Sequence, residues 1–379
     1  MRVLLTGGGT GGHAYPALAI AQALRERVPG VELLYAGTQR GMEAELAARE
    51  GIAFRAVRAR GLSGKSLPDL ARGARELAAG SLQAWQLVRS FRPSVVVGTG
   101  GYVQVPVVLA ALATGVPFLL QEQNAFPGRA NRWLSRWAGA VGVPYPETVA
   151  AFRRGTRCVV TGNPVRREVL AITREQGARA LGLSPSSPAV YAFGGSLGAR
   201  RLNQALLEAL PELLARPELQ LVWSTGKGQL EQVMAGLAAN KINPSRRPGL
   251  VVREYLHDAP AALAAADLVV VRGGGITLAE VTVRGLPAII VPSPNVAHDE
   301  QTHNARILEA RGAARLVPER ELDGPRLARE IRAILDDPRR RRSMVAASRA
   351  LGRPDAAHRL ADLAIALSGT SVTRYPGGA

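Results

Sequence analysis

Cysteine is almost absent. Cys158 is the single one in 379 residues, so no internal disulfide can form, and a reducing compartment is expected. Lysine is scarce as well, with only Lys65, Lys227 and Lys241, and the positive charge is therefore nearly all arginine. No Asp-X-Asp pair occurs anywhere. The five histidines and one cysteine form no recognisable ligand set, although His298 and His303 are near each other, so neither a bound metal nor a cofactor is expected. Long apolar runs are missing too. The run after Arg2 is only Val3 to Leu5, too short for the core of a secretory signal, which leads us to expect a cytoplasmic protein. Ser94 to Gln121 carries no charge, but Gly98, Gly100, Gly101, Pro106, Gly115 and Pro117 divide it, which argues against a spanning helix.

Hydrophobic residues make up 47% of the chain, and the length suffices for two domains with a core each. Net charge is +18, and its placement is uneven. Residues 1 to 54 hold five arginines against five glutamates, whereas 55 to 157 hold fourteen Arg or Lys against Asp69, Glu76, Glu122 and Glu147. Leu82, Trp85, Phe91, Trp133 and Trp137 are interleaved with these cations. Such a mixture suits an anionic membrane surface, with nucleic acid as the competing partner and a general arginine bias as the plain alternative.

The stretch VLLTGGGTGGHA, Val3 to Ala14, reads as strand, glycine loop and helix start. Glycines there let a ligand approach the backbone, and a helix N-terminus directs unpaired N–H groups at it, an arrangement suited to a phosphate or pyrophosphate. Alternating strands and helices continue through Val31–Ala36, Phe54–Val57, Ser94–Val97 and Phe118–Leu120, the pattern of a parallel, doubly wound sheet. Gly64, Lys65 and Ser66 imitate the end of a P-loop, but the required first glycine falls on Ala59, and the motif is rejected.

VVTGNPVR, Val159 to Arg166, has the marks of a linker, and after it the pattern restarts: AVYAFGGSLGAR from Ala189 is again strand, glycine loop and helix. DLVVVRGGGITLAEVTVRGLPAIIVP parallels VVVGTGGYVQVPVVLAALATGVPFLL in its triple-valine strand, glycine loop, helix and Gly-X-Pro strand entry. The expected fold class is α/β, with two Rossmann-like doubly wound domains facing a central cleft where two substrates could be joined. Expected boundaries are 1–162, 163–350, a helix over 351–367 that packs back on the first domain, and a disordered tail over 368–379.

TGGGTGGH with YPALAIA, GTGGYVQVP, QEQN, GNPVR, GGSLGAR, GGGITLAE and DEQTHNA with ARGAA, in this order and spacing, resemble the MurG family of GT-B type glycosyltransferases. The resemblance runs from about Arg2 to Leu367. It implies an inverting transferase that moves N-acetylglucosamine (GlcNAc) from UDP-GlcNAc to the N-acetylmuramic acid (MurNAc) 4-hydroxyl of lipid I, giving lipid II for peptidoglycan. It also implies a peripheral place on the cytoplasmic face of the cell membrane, no nucleic-acid partner, and contact with other cell-wall synthesis proteins.

For residues, the resemblance implies that the second domain holds the donor. Ser196 would meet the diphosphate, Arg166 would supply a fixed positive charge, and Leu256 would read the uracil edge through its backbone. Gly275, Ile276, Thr277, Leu278, Ala279 and Glu280 would cradle ribose and phosphates, with Glu280 accepting ribose hydroxyls, and Gln301 would contact the sugar. Thr10, Gly11, Gly12 and Asn124 would complete the sugar and acceptor side. His13 or Glu122 would take the proton from the attacking hydroxyl. The sequence departs from the family pattern at Gly273 to Gly275 and at Glu300. Two other classes stay open on the residues: another UDP-sugar enzyme, such as an epimerase, and a nucleotide-regulated binding protein for membranes or nucleic acid.

Overall fold

Val3, Leu4 and Leu5 have no exposed surface, nor do Val95, Val96 and Val97, and the reason is visible in the topology. In an all-parallel sheet both faces are covered, so strands read as continuous apolar runs and not as alternations. The computed structural model, which describes residues 1–39, 41–59 and 67–370, separates into two units: Met1–Val165 together with the segment from Pro354 onward, and Arg166–Arg353.

The first unit carries seven strands: β1 (Arg2–Thr6), β2 (Glu32–Gly37), β3 (Ala53–Ala56), β4 (Val95–Gly98), β5 (Phe118–Gln121), β6 (Ala140–Val143) and β7 (Cys158–Val160). Their order is β3-β2-β1-β4-β5-β6-β7, and every pairing is parallel. Successive residues of a strand point to opposite faces. Val3, Leu5, Val95 and Val97 thus meet the helices Gly11–Arg27 and Ala356–Leu367. Leu4 and Val96 meet Leu67–Phe91 and Gln104–Ala113 on the other side. In Ala356–Leu367 the residues Leu360, Ala361, Ala364 and Ile365 share one face and are buried in the core of this unit.

The second unit repeats the plan with β8 (Ala189–Phe193), β9 (Gln220–Ser224), β10 (Leu250–Arg253), β11 (Leu268–Val271), β12 (Ala288–Ile290) and β13 (Ala314–Leu316), ordered β10-β9-β8-β11-β12-β13 and all parallel. Its core sets Leu202, Leu206, Leu210 and Leu213 of the helix Arg200–Leu214 and Leu327, Ile331 and Ile334 of Gly324–Leu335 against Val190, Leu268 and Ile289.

Both sheets therefore have the Rossmann order, whose switch point lies between the first strand and the fourth. The loops after β1 and β4 flank it in one unit, and those after β8 and β11 in the other. The first helix begins at Gly11, earlier than the apolar run from Ala17 suggests, so the last glycines of the loop form its opening turn. The tail assigned to 368–379 lies outside the described residues beyond 370, as do Gly64 to Ser66.

Candidate active site

In the first unit the candidate residues gather on the loops after β1, β4 and β5. His13 is the third residue of Gly11–Arg27, and its Nδ1 lies 3.1 Å from the Thr99 carbonyl oxygen and 3.1 Å from Oε1 of Gln123. Two acceptors around one ring nitrogen assign the proton to Nδ1 and leave the lone pair on Nε2. Gln123 is itself held: its amide nitrogen donates to the Thr99 carbonyl and to the carbonyl and Oε1 of Gln121. Asn163 donates to the Gln123 carbonyl at 2.8 Å and accepts from Gln121 at 2.8 Å. Burial pushes the pKa of His13 below its ordinary 6.5, while the bonds to Thr99 and Gln123 and the charge of Glu43 pull part of the way back. The imidazole is therefore neutral at neutral pH. Gly100, at φ +104°, lies so close that a Cβ on it would come within 2.4 Å of Nδ1.

Glu122 is placed differently from what a proton acceptor needs. It is 2% exposed; Oε1 accepts from the Asn124 N–H at 2.9 Å, and Oε2 from the Gly128 N–H at 3.0 Å and from Asn131 at 2.8 Å. Burial raises its pKa, opposed by these donors. With both oxygens engaged it shapes the turn Asn124–Gly128 and anchors Asn131, which in turn accepts from Gln104. Gln104 accepts from the Gly100 N–H at 2.9 Å, so one buried polar chain links the β4 loop to the β5 loop. Thr10 and Gly12 are exposed at the helix start, beside the half-buried Gly11. Opening-turn amides there have no intrahelical acceptor, which suits an anion.

In the second unit the candidate residues gather on the loops after β8 and β11. Arg166, the N-cap of Arg167–Ala171, donates through Nε to Glu280 Oε1 at 2.7 Å and through a terminal nitrogen to Oε2 at 3.0 Å. The paired carboxylate is thus held in a two-point fork. Glu280 is only 7% exposed and belongs to Gly275–Val283, whose first residues Gly275, Ile276 and Thr277 open the helix. Leu278 turns into the core, with no exposed surface, and its N–H is taken by the Gly274 carbonyl at 3.0 Å. Ala279 is half-buried on the same helix.

Gln301 braces the loop after β11: its Oε1 accepts from the Gly273 N–H at 3.2 Å and the Ser293 N–H at 2.9 Å. Asn304, one turn on, donates to the Gly273 carbonyl. Ser196 is exposed in the loop after β8, where Gly198 at φ +73° would place a Cβ 2.1 Å from the Thr225 carbonyl oxygen. Gln229 fastens that loop through the Leu197 carbonyl, and Asn203, on the helix that follows it, donates to the Thr225 carbonyl just past β9. Leu256 is half-buried between the exposed Tyr255 and His257. Among the described residues no group of three His, Cys, Asp or Glu side chains is placed to hold a metal ion. A recess lined by Trp85, Arg89, Arg92 and Thr114 lies at the opposite, N-terminal ends of β4 and β5.

Gln104, Asn131, Asn163, Asn203, Gln229, Asn304 and Glu43 escaped sequence reasoning. Each acts by bracing backbone from a distance in sequence, and a buried amide carries no spacing signal.

Two Rossmann-ordered sheets with glycine loops and helix starts at both switch points suit an enzyme of sugar nucleotides. Residues 3–143 match the glycosyltransferase family 28 N-terminal domain and 189–360 the C-terminal domain. The chain is 44% identical over 374 residues to the UDP-N-acetylglucosamine--N-acetylmuramyl-(pentapeptide) pyrophosphoryl-undecaprenol N-acetylglucosamine transferase of Desulforudis audaxviator, covering 97% of this chain and 99% of that one. It is 45% identical to the same-named transferase of Symbiobacterium thermophilum, with 95% of each covered. The crystal structure of Acinetobacter baumannii MurG superimposes with a TM-score of 0.74 at 28% identity, covering 96% of this chain and 99% of that one. The chain belongs to the MurG family within glycosyltransferase family 28.

Proposed function

We propose that this protein transfers GlcNAc from UDP-GlcNAc to the MurNAc 4-hydroxyl of lipid I, forming lipid II. The observation that carries the reading is 44% identity over nearly the whole length to transferases named for that donor and acceptor. The chemistry of the site residues is compatible with it. The 4-hydroxyl oxygen attacks the anomeric carbon, the bond from that carbon to the diphosphate oxygen breaks, and the hydroxyl proton passes to Nε2 of His13. One displacement inverts the configuration, and UDP leaves with the electron pair. Helix starts near Ser196 and at Gly275 to Thr277 would face the developing diphosphate charge. Glu280 would accept the ribose hydroxyls, with Arg166 positioning it and not meeting the phosphates itself. Gln301 would direct its amide nitrogen to the sugar, and Leu256 its backbone to the uracil. Thr10, Gly11, Gly12 and Asn124 would hold the acceptor, and Glu122 would position that loop.

We also propose an anionic membrane surface as a partner. No helix among the described residues is long and apolar enough to cross a membrane. Trp133 and Trp137 are 43% and 45% exposed, with ring centroids 5.3 Å apart, beside the exposed Arg129, Arg132 and Arg136. Leu82 is exposed on Leu67–Phe91, where Arg89 lies 4.8 Å over the Trp85 ring. Aromatics and arginines on one surface match a headgroup region better than a nucleic acid, which would ask for cations without so much exposed apolar area. On this reading the enzyme would sit peripherally on the cytoplasmic face, where lipid I and other cell-wall synthesis proteins would meet it. Incubation with UDP-GlcNAc and a short-chain lipid I analogue tests the activity. A β-linked GlcNAc–MurNAc disaccharide is expected, and UDP release or sugar epimerisation without it contradicts the reading.

A further inference from the structure

We propose that Glu43 is a positioning residue of the first unit's site, fixing the first glycine loop through Gly9 and acting on the reaction through His13. The proposal rests on the transfer reading above.

Glu43 opens the helix Glu43–Arg49 and has no exposed surface. Its Oε1 accepts from the Gly9 N–H at 2.6 Å, and its Oε2 is buried without a hydrogen-bond partner among the described residues. Burying a carboxylate with one oxygen unsatisfied is expensive, so the position calls for a reason. The surrounding backbone is cut to fit it. A Cβ on Gly8 would lie 1.8 Å from Oε1, and one on Gly41 1.5 Å from Oε2, so side chains at either place would expel the carboxylate. From the sheet, Tyr35 donates to the Gly7 carbonyl at 2.7 Å and braces the same loop.

An uncharged amide could also accept from Gly9; what the carboxylate adds is charge. Nδ1 of His13 meets the Thr99 carbonyl from the β4 loop and the Gln123 amide oxygen from the β5 loop, while Glu43, whose carboxylate holds Gly9 four residues before His13, is the charged group that pulls the ring's pKa upward. Tyr35 is the other titratable group that faces Glu43. Burial disfavours the imidazolium that forms as the 4-hydroxyl gives up its proton, and Glu43 offsets part of that cost. The proton stays on Nε2 of His13. Because Gly9 is already engaged, an anionic acceptor must find its amides further on, at Gly11 and Gly12.

The test compares wild type, E43Q and E43D by the pH dependence of kcat/KM with a lipid I analogue and by NMR titration of the His13 ring. E43Q keeps the shape and loses the charge. It is expected to lower kcat more than about tenfold, to move the acid limb and the His13 titration to lower pH by about half a unit or more, and to leave the KM for UDP-GlcNAc within about twofold. E43D keeps the charge and shortens the reach to Gly9, so kcat falls with the limb in place. An unshifted His13 titration in folded E43Q overturns the proposal, as does wild-type kcat in E43D, which decides the matter if E43Q does not fold. If wild type shows no transfer, the proposed function fails, and the His13 titrations of wild type and E43Q still judge this inference.

Discussion

Arg166 and Glu280 bind each other through two hydrogen bonds, at 2.7 and 3.0 Å, in a pair whose side chains are 22% and 9% exposed. Each residue was expected to meet the donor; in the structure they are joined to each other, and we propose that the arginine supports the carboxylate. Removing one partner of a mostly buried pair strands the other charge, at a cost of about 3–5 kcal/mol. Arg166→Ala is therefore expected to lower the unfolding free energy of the second unit by an amount of that order and to raise the KM for UDP-GlcNAc. Denaturant unfolding with and without UDP-GlcNAc checks both; an unchanged midpoint contradicts the support role.

His13→Ala is expected to reduce kcat by about 10²–10⁴, the usual worth of a positioned general base, with little change in the KM of either substrate. Gln123→Leu, which removes the acceptor at Nδ1 and leaves only the Thr99 carbonyl to set the tautomer, should lower kcat by a smaller factor. Steady-state kinetics on both variants provide the check.

The pH dependence has a definite sign. A base works when deprotonated, and burial lowers the pKa of His13, so the unprotonated form persists below the ordinary 6.5. The acid limb of kcat/KM is expected below pH 6.5. A limb at or above the ordinary histidine value contradicts a buried His13 as the base.

Glu122→Gln replaces an acceptor of three donors by an amide that can accept at one end only. A backbone N–H left facing an amide NH₂ costs about 1–3 kcal/mol. Lower stability and a reduced kcat are expected, without a shift of the acid limb. A displaced limb would reassign the proton to Glu122.

On the membrane-facing proposal, Arg132→Ala and Arg136→Ala should each weaken binding to vesicles containing anionic lipid by about 1 kcal/mol. Trp133→Ala should weaken it even in neutral vesicles. Sedimentation with vesicles of both compositions reads the difference, and unchanged binding in all three variants contradicts this surface as the contact.

Much of this fold was legible because parallel sheets write themselves plainly. Val95–Gly98 and Leu268–Val271 are continuous valine runs buried on both faces, followed by glycine loops at the switch points. β6, β9, β10 and β13 were not. Ala140–Val143 is as small as a loop, and Gln220 and Arg253 put polar ends on their strands. In the site, His13 stood out as the only histidine of the first 250 residues. Its supports did not: Gln123 meets the ring directly from the β5 loop, and Asn163 holds the Gln123 carbonyl from the loop after β7, contacts that only the fold assembles. Glu43 carries no mark in the sequence, and only the fold brings its carboxylate to the Gly9 N–H. Leu278 was taken with its neighbours as a contact, yet the helical turn points it into the core.

The measurement that tests the central claim most directly is sugar transfer from UDP-GlcNAc to a short-chain lipid I analogue, by wild type and His13→Ala, with UDP-GalNAc as competing donor. The account predicts a GlcNAc-containing disaccharide product, a clear preference over GalNAc, and near-complete loss of transfer in His13→Ala with UDP-GlcNAc binding retained. Binding of UDP-GlcNAc by wild type without any disaccharide would contradict it and point to an epimerase or another acceptor.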